Sequence, residues 1–268
     1  MSDSLAQTAI DAVRSAGALL RDLAGGEREV TSKGFRDDVT DADYAAQRVI
    51  IDTIRARFPD QPIVSEENHF GHDIAHWQPP EGLWWVLDPL DGTTNFARGV
   101  PHWCTTVSAL RGDEIVAGAI YDPVREHLFA VEAGTGATLN GAPLRVAARD
   151  DLAQAVVECG LGRDPEIRQR GLAIIGTLAA NCRTVRSLGS AALALAYVAA
   201  GWTDAYVHLT LRVWDASAGA LMIREAGGAL TRTDGSAWHP LTPQILASNE
   251  SLHEPILALV REALGADG

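Results

Sequence analysis

Two aspartates three positions apart give this sequence its clearest chemical signal. Asp88 and Asp91 follow a short apolar run (83–87) that is typical of a buried strand, and Pro89 stiffens the turn between them. A helix or turn that begins at Gly92 would point free N–H groups at the same place, where they attract phosphate. The loop therefore predicts a site for a hard cation and an anion, although Asp-Pro and Asp-Gly are also common turn formers.

Three other acidic segments could bring carboxylates to the same site. Glu66 follows a predicted strand at 62–64, whose end can reach a cleft in an α/β protein. Asp215 precedes an apolar helical run, where it also has the position of a helix N-cap. Asp41 and Asp43 lie at the start of a predicted helix, where acidic residues also complement the helix dipole. Each segment alone has a structural explanation, but together they favour a metal site.

These segments, taken in order, resemble the inositol monophosphatase family within the wider metal-dependent, lithium-sensitive phosphatase superfamily. The resemblance covers nearly the whole chain and implies a layered αβαβα sandwich, which is an α/β fold of the inositol monophosphatase and fructose-1,6-bisphosphatase type. The matching stretches are Asp-Val-Thr with a later Asp at 38–43, Ser-Glu-Glu at 65–67, Asp-Pro-Leu-Asp-Gly-Thr-Thr-Asn-Phe at 88–96 and Trp-Asp-Ala-Ser-Ala-Gly at 214–219.

The resemblance implies two or three Mg²⁺ ions in the active site. Glu66, Asp88 and the backbone carbonyl of Leu90 match the ligands of a first ion, and Asp88, Asp91 and Asp215 match those of a second. Glu66 also matches a ligand of a weaker third ion. Oxygen ligands without His or Cys favour Mg²⁺ over zinc, and a pair of such ions can activate a water and stabilise a departing alkoxide.

The resemblance also implies roles for the residues that handle water and phosphate. Asp43 and Thr93 match the pair that positions and deprotonates the attacking water, and Glu66 completes the predicted catalytic set. Gly92 and Thr93 match the phosphate-binding backbone, with Asp91 beside them. Direct attack by water is therefore expected, without a phosphoenzyme.

The predicted substrate contacts are Gly189, Ser190 and His208. The first two resemble the family's substrate-side turn, where Ser190 would equally serve as a helix N-cap. His208 occupies the position at which the family commonly carries an acidic residue that binds substrate hydroxyls. A histidine is not a two-oxygen acceptor, so this departure could favour a substrate with a different group, although a lone His is often structural. Arg163 and Arg212 are expected to be exposed, while one arginine near residue 163 could attract a phosphate.

The predicted function is Mg²⁺-dependent hydrolysis of a small phosphate monoester, and myo-inositol monophosphate is the favoured substrate. The sequence Gly-Val-Pro-His at 99–102 supports the inositol branch of the family. Histidinol phosphate, fructose 1,6-bisphosphate and adenosine 3′,5′-bisphosphate remain alternatives. An alternative of another class is a regulatory binding protein that retains the fold. The resemblance further implies a homodimer and inhibition by lithium.

Composition limits the partners that are expected. The 268 residues carry a net charge of −13, which disfavours nucleic acid as the main ligand. No apolar run reaches about 18 residues, so no membrane span is expected. The start lacks the pattern of a secretory signal, and the three isolated cysteines suit small buried groups. We therefore expect a cytoplasmic protein.

Periodic patterns predict the elements that position these residues. We expect an N-terminal α+β lobe (1–148) with most metal ligands and a C-terminal α/β lobe (149–268) with Asp215 and the substrate contacts. A polar loop is expected around Lys33, Gly34 and 37–38. The predicted helices are 5–23, 41–58, 165–180, 190–200, 215–226 and one from about 253, and the predicted strands are 62–64, 83–87, 103–110, 114–121, 126–132, 155–159, 183–187, 203–208 and 245–248.

Overall fold

The computed structural model describes residues 4–24, 30–34, 37–69 and 79–265. These residues form two large sheets, one small hairpin and helices that alternate with the sheets in layers. Among the described residues, no helix combines the length and apolar character needed to span a membrane. The three cysteines are free thiols, two of them buried and Cys182 half-buried.

The first layer consists of helices α1 (Leu5–Leu23) and α2 (Asp41–Arg55). Ser4 caps α1 by accepting the N–H of Gln7, and the apolar residues spaced along the helix turn inward onto the first sheet. The prediction for α1 is confirmed. The second helix begins at Asp41 as predicted but ends at Arg55, three residues before the predicted end.

The second layer is a seven-stranded sheet in which β3 (Ile63–Ser65) pairs parallel to β4 (Leu83–Asp91). The turn at Asn140 and Gly141 joins the last two strands, as the sequence predicts. The remaining strands are antiparallel neighbours in chain order: β5 (Cys104–Arg111), β6 (Glu114–Asp122), β7 (His127–Glu132), β8 (Gly136–Leu139) and β9 (Ala142–Pro143).

Strand β4 differs from the prediction at its functional end. The sequence predicts a strand that stops before Asp88, but pairing with β5 resumes at Asp91 after a bulge. The bulge has a local cause, because Pro89 has no N–H and the N–H of Leu90 donates to Asp88 Oδ1 at 2.9 Å instead of joining the ladder. Both aspartates are thus fixed in a buried strand rather than in a loose turn.

The middle layer contains α6 (Ala191–Ala199) and α7 (Val213–Glu225), which lie between the two sheets. Both are buried almost all round and rich in small residues. A Cβ on Gly118 would lie 3.0 Å from the Cβ of Ala218, so the first sheet and α7 pack at close range. Because α7 begins at Val213, Asp215 is its third residue and not the N-cap that the sequence allowed.

The last two layers are a five-stranded sheet and the outer helices α5 (Pro165–Asn181) and α8 (Glu250–Ala263). The layer order is therefore αβαβα, which confirms the predicted fold. The strands, in sheet order, are β11 (Thr184–Arg186), β10 (Val156–Cys159), β12 (Ala205–His208), β14 (Ile245–Asn249) and β13 (Gly228–Thr231).

The local structure differs from the prediction in three further places. The expected polar loop around Lys33, Gly34 and 37–38 contains a two-stranded hairpin of β1 (Val30–Gly34) and β2 (Asp37–Thr40). Strand β13 was not predicted, and α8 begins at Glu250 rather than near 253. The predicted lobe boundary falls between β9 and β10, and the division into two lobes stays a prediction.

Candidate active site

Three carboxylates that are far apart in the sequence converge at one end of the first sheet. Glu66 opens the short helix α3 (Glu66–His69) directly after β3, Asp88 lies in β4 and Asp215 lies in the first turn of α7. One carboxylate oxygen from each lies within 4.8 Å of the other two. This oxygen-only set has the chemistry that a hard divalent cation requires.

The electrostatics of the cluster also fit a cation. Asp88 is 2% exposed, and burial, followed by the charges of Glu66, Asp91 and Asp215, raises its pKa well above the ordinary value. Burial, with the charge of Asp91, raises the pKa of Asp215 to about 7. Such mutual repulsion in a buried place is what a divalent cation would relieve.

Asp91, the last residue of β4, is hydrogen-bonded to the start of helix α6. Its Oδ2 accepts hydrogen bonds from Ser190 Oγ at 2.5 Å and from the N–H of Ala192 at 2.8 Å, while Oδ1 accepts the N–H of Ala191 at 3.3 Å. Burial raises the pKa of Asp91, and these donors offset only part of that rise. Asp91 lies close enough to influence Asp88 electrostatically, although it lies outside the group of three carboxylates.

Ser190, a predicted substrate contact, serves as the N-cap of α6. Its Oγ accepts the N–H of Leu193 at 3.3 Å while its own proton goes to Asp91. The side chain is buried, so the structure shows a capping role and the substrate contact stays a prediction. Ser190 and Asp91 together satisfy the first N–H groups of the helix.

The turn between β4 and helix α4 (Thr93–Arg98) requires glycine. Gly92 has φ of +93°, and a Cβ there would lie 3.0 Å from the carbonyl oxygen of His102. The helix begins directly after it, so of the helix and the turn that the sequence left open, the structure has the helix. The carbonyl oxygen of Leu90 accepts a hydrogen bond from Thr93 Oγ1 at 3.0 Å, so the turn is closed by its own residues.

Asp43 and Thr93 meet beside this turn. Thr93 Oγ1 lies 3.2 Å from Asp43 Oδ1. The other oxygen of Asp43 accepts the N–H of Thr40 at 2.8 Å and its hydroxyl proton at 2.6 Å. Asp43 is thereby held rigidly at the start of α2, with one oxygen directed at the Thr93 hydroxyl. This arrangement brings together the predicted water-positioning pair.

Asn95 ties two loops together, a role that sequence analysis did not assign. Its amide nitrogen donates to the carbonyl oxygens of His102 and Leu188, both at 2.8 Å. Gly189, another predicted substrate contact, follows with φ of +85°, and a Cβ there would lie 3.2 Å from that same amide nitrogen. The only sequence signal for this tie was the position of Asn95 in the central motif.

Arg163 was expected to be an exposed charge, and it is exposed, but it also borders the acidic cluster. Its guanidinium lies 4.0 Å from Glu66 Oε1, and its side chain is 57% exposed. Burial, with the nearby Arg163 charge, lowers the pKa of His208 to about 4. The Nδ1 of His208 accepts the N–H of Thr210 at 2.9 Å. Arg212 is exposed as expected, and its backbone N–H donates to Asp215 at 2.8 Å.

Comparison with known proteins identifies the family that this chain resembles in sequence. A family model described as the inositol monophosphatase family matches residues 1–264. The Nus factor SuhB of Salmonella typhimurium strain LT2 is 39% identical over 239 residues, which span 88% of this chain and 87% of the relative.

Solved structures agree with this assignment. The extragenic suppressor protein suhB from Bartonella henselae superposes with a TM-score of 0.87 at 33% identity, covering 96% of this chain and 98% of the other. An IMPase from Thermotoga maritima superposes with a TM-score of 0.87 at 32% identity, covering 98% of each chain. On the family match, the relatives and the fold, the chain belongs to the inositol monophosphatase family.

Proposed function

We propose that this protein hydrolyses a small phosphate monoester with Mg²⁺ and a water nucleophile. The convergence of Glu66, Asp88 and Asp215 beside the pair of Asp43 and Thr93 carries the proposal. Cation ligands and a water-directing pair are the two components that metal-assisted phosphate hydrolysis requires.

The acidic residues have distinct proposed roles in holding two or three ions. Glu66, Asp88 and the Leu90 carbonyl would bind one ion, and Asp88, Asp91 and Asp215 a second. Bound there, the cations would supply Lewis acidity to the phosphoryl group. The hydrogen bonds from α6 to Asp91 support this division, because they fix its carboxylate in orientation. They occupy the lone pairs of Oδ2 and leave one on Oδ1, which accepts the N–H of Ala191.

Asp43 and Thr93 are proposed to orient the attacking water and take up its proton. The Thr93 hydroxyl has one proton, which it can donate to Asp43 Oδ1 or to the Leu90 carbonyl oxygen. The lone pairs of its oxygen are then available to accept a hydrogen bond from a water. Asp43 is the base that would receive the proton in turn. The backbone N–H groups of Gly92 and Thr93 would donate to phosphate oxygens.

Family membership makes myo-inositol monophosphate the first substrate to test. Histidinol phosphate, fructose 1,6-bisphosphate and adenosine 3′,5′-bisphosphate are the next candidates. A phosphate-release assay across these esters, with Mg²⁺ and then with a chelator, tests the proposal. Release that requires Mg²⁺ supports it, and the absence of release from every ester at saturating Mg²⁺ contradicts it.

A regulatory role is a second candidate, because curated relatives at 38–39% identity are named Nus factors. Such a role need not involve turnover. Replacing Asp88 by Asn separates the two functions: rescue of a deletion phenotype by this variant, at wild-type protein levels, favours the regulatory role, whereas failure to rescue favours the enzyme. A homodimer is also proposed from the family, and light scattering would test it.

A further inference from the structure

Two polar side chains of β12 converge beside Gly160, which directly follows β10. A Cβ on this glycine would lie 2.6 Å from His208 Nε2 and 2.8 Å from the Tyr206 hydroxyl oxygen. Both side chains lie on the face of β12 that packs against the middle layer, because Tyr206 belongs to the core around α6 and α7 and His208 lies two residues farther along the same strand. The first turn of α7 carries Asp215, so this face of the strand is the one directed toward the acidic cluster.

Arg163 extends this surface toward the metal ligands. It lies in the connection between β10 and α5, its charge acts on both His208 and Asp215, and its guanidinium reaches within 4.0 Å of Glu66. We define the donor wall as Arg163, Tyr206 and His208. Arg163 borders the cluster that would hold the phosphoryl group, so the wall would face the rest of a bound ester.

The hydrogen-bonding capacity of the donor wall is strongly one-sided. Arg163 can only donate. Because Nδ1 of His208 accepts the N–H of Thr210, a neutral ring carries its proton on Nε2 and presents a donor there. The Tyr206 oxygen is the wall's one acceptor. Glu158 lies opposite Tyr206 in the pairing of β10 with β12. Because it is only 2% exposed, its carboxylate is not counted as an acceptor for a ligand.

This excess of donors over acceptors favours an anionic leaving group over a neutral one. A polyol brings hydroxyl protons that need acceptors, and a buried hydroxyl without one loses the hydrogen bond that it made to water. A carboxylate or phosphate brings only acceptors, which suit a guanidinium and an imidazole N–H. We propose that the donor wall selects phosphate monoesters whose leaving group carries a second anionic group, a carboxylate or another phosphate. This inference rests on the proposed phosphatase function and departs from inositol monophosphate as the preferred substrate.

Two matched pairs of esters test the selection. The compounds 3-phosphoglycerate and glycerol 3-phosphate differ by a carboxylate in place of a hydroxymethyl group. Fructose 1,6-bisphosphate and fructose 1-phosphate differ by a second phosphate. With Mg²⁺, we expect kcat/KM for the more anionic member of at least one pair to be about tenfold higher, since one charge-assisted contact supplies about 1.4 kcal/mol or more. The pair that shows the preference identifies the anion as carboxylate or phosphate.

The variant Arg163→Gln tests the residue assignment. We expect it to raise KM for the preferred anionic ester, with a smaller change in kcat, and to affect the neutral ester less, so that the preference falls toward unity. Arg170→Gln, an exposed arginine on α5, is the matched control and should keep the wild-type preference. Thermal unfolding would verify that both variants fold.

The possible failures are distinguishable. A wild-type preference for the neutral member of both pairs, or no preference in either, overturns the inference and leaves the phosphatase function standing. A preference that survives Arg163→Gln unchanged also overturns it. Release of phosphate from none of the four esters, nor from inositol 1-phosphate, contradicts the proposed function and the inference with it.

Discussion

The two ends of the proposed active site are built in different ways. At the phosphate end, Asp88, Gly92 and Thr93 come from one short segment, and backbone hydrogen bonds and a bulge fix their positions. At the leaving-group end, Arg163 lies in the connection between β10 and α5 and His208 lies at the end of β12, and the Arg163 side chain is largely exposed. In the proposed mechanism the chemistry therefore depends on a rigid local motif, while substrate choice depends on individual side chains.

This contrast explains why family membership and substrate preference can separate. A change at the phosphate end disturbs several contacts at once. Asp91, for example, accepts hydrogen bonds both from Ser190 and from the N–H of Ala192 in the first turn of α6. A change at Arg163 or His208 alters the charge and hydrogen bonding of the leaving-group end and breaks none of the hydrogen bonds that hold Asp88 and Thr93. The predictions below test this separation, from the largest expected effect on turnover to the smallest.

Replacing Asp88 by Asn should reduce kcat about a thousandfold, because loss of a cation ligand removes several kcal/mol of transition-state stabilisation. Folding should survive, since Asn can still accept the Leu90 N–H and repulsion with Glu66 and Asp215 is relieved. Steady-state kinetics and thermal unfolding measure the two effects. Asp113→Asn, at an exposed aspartate paired with His239, is the control. Near-wild-type turnover in the Asp88 variant would refute its role as a ligand.

Replacing Thr93 by Ala should lower kcat about a hundredfold and change KM little, as expected for a group that orients the water. Thr93→Ser keeps the hydroxyl and should retain most of the activity. Thr94 is exposed in the same helix, so Thr94→Ala is the matched control. Equal activity in the Ala and Ser variants of Thr93 would exclude a role for the hydroxyl.

Replacing His208 by Glu should shift preference rather than abolish turnover. A carboxylate restores an acceptor at the leaving-group end, so kcat/KM for inositol 1-phosphate should rise about tenfold relative to that for 3-phosphoglycerate. The neutral variant His208→Gln separates the effect of charge from the loss of the ring. If the ratio is the same in wild type and in both variants, His208 does not select the substrate.

Glu158→Gln should change turnover least but alter the pH dependence of stability. Burial raises the pKa of Glu158 to about 7, with Arg186 opposing the rise and with Tyr197 and Tyr206 nearby. The folded protein then keeps a proton that the unfolded chain releases above about pH 4.5, so this group lowers the free energy of unfolding as pH rises from about 4.5 to about 7.

The variant lacks this titration. Its free energy of unfolding relative to wild type should therefore be higher, by up to about 3 kcal/mol, at pH 8 than at pH 4. Urea unfolding at the two pH values, with Mg²⁺ present, measures the difference. An equal offset at both values would mean that Glu158 ionises normally in the folded protein.

Local patterns predicted the elements but not the ties between distant loops. The periodicity of α1 and the apolar run of β4 are properties of neighbouring residues, so the sequence reveals them. The hairpin of β1 and β2 has no comparable apolar alternation and was expected to be a loop. The extension of β4 to Asp91 also escaped prediction, because pairing after a bulge depends on the partner strand.

The same distinction applies within the site. The carboxylates were identified because their motifs resemble a family pattern, and the structure brings Glu66, Asp88 and Asp215 together. The approach of Arg163 to Glu66 and the ties made by Asn95 join residues far apart in the chain. No local pattern encodes such contacts, so the donor wall could not be recognised before the strands were placed.

The most direct test of the central claim is a calorimetric titration of Mg²⁺ into chelator-treated protein, comparing wild type with Asp215→Asn and Asp113→Asn. If distant carboxylates form one cation site, wild type and Asp113→Asn should show the same saturable binding, and Asp215→Asn should bind at least about tenfold more weakly. Equal binding in all three proteins, or none in the wild type, would contradict the account.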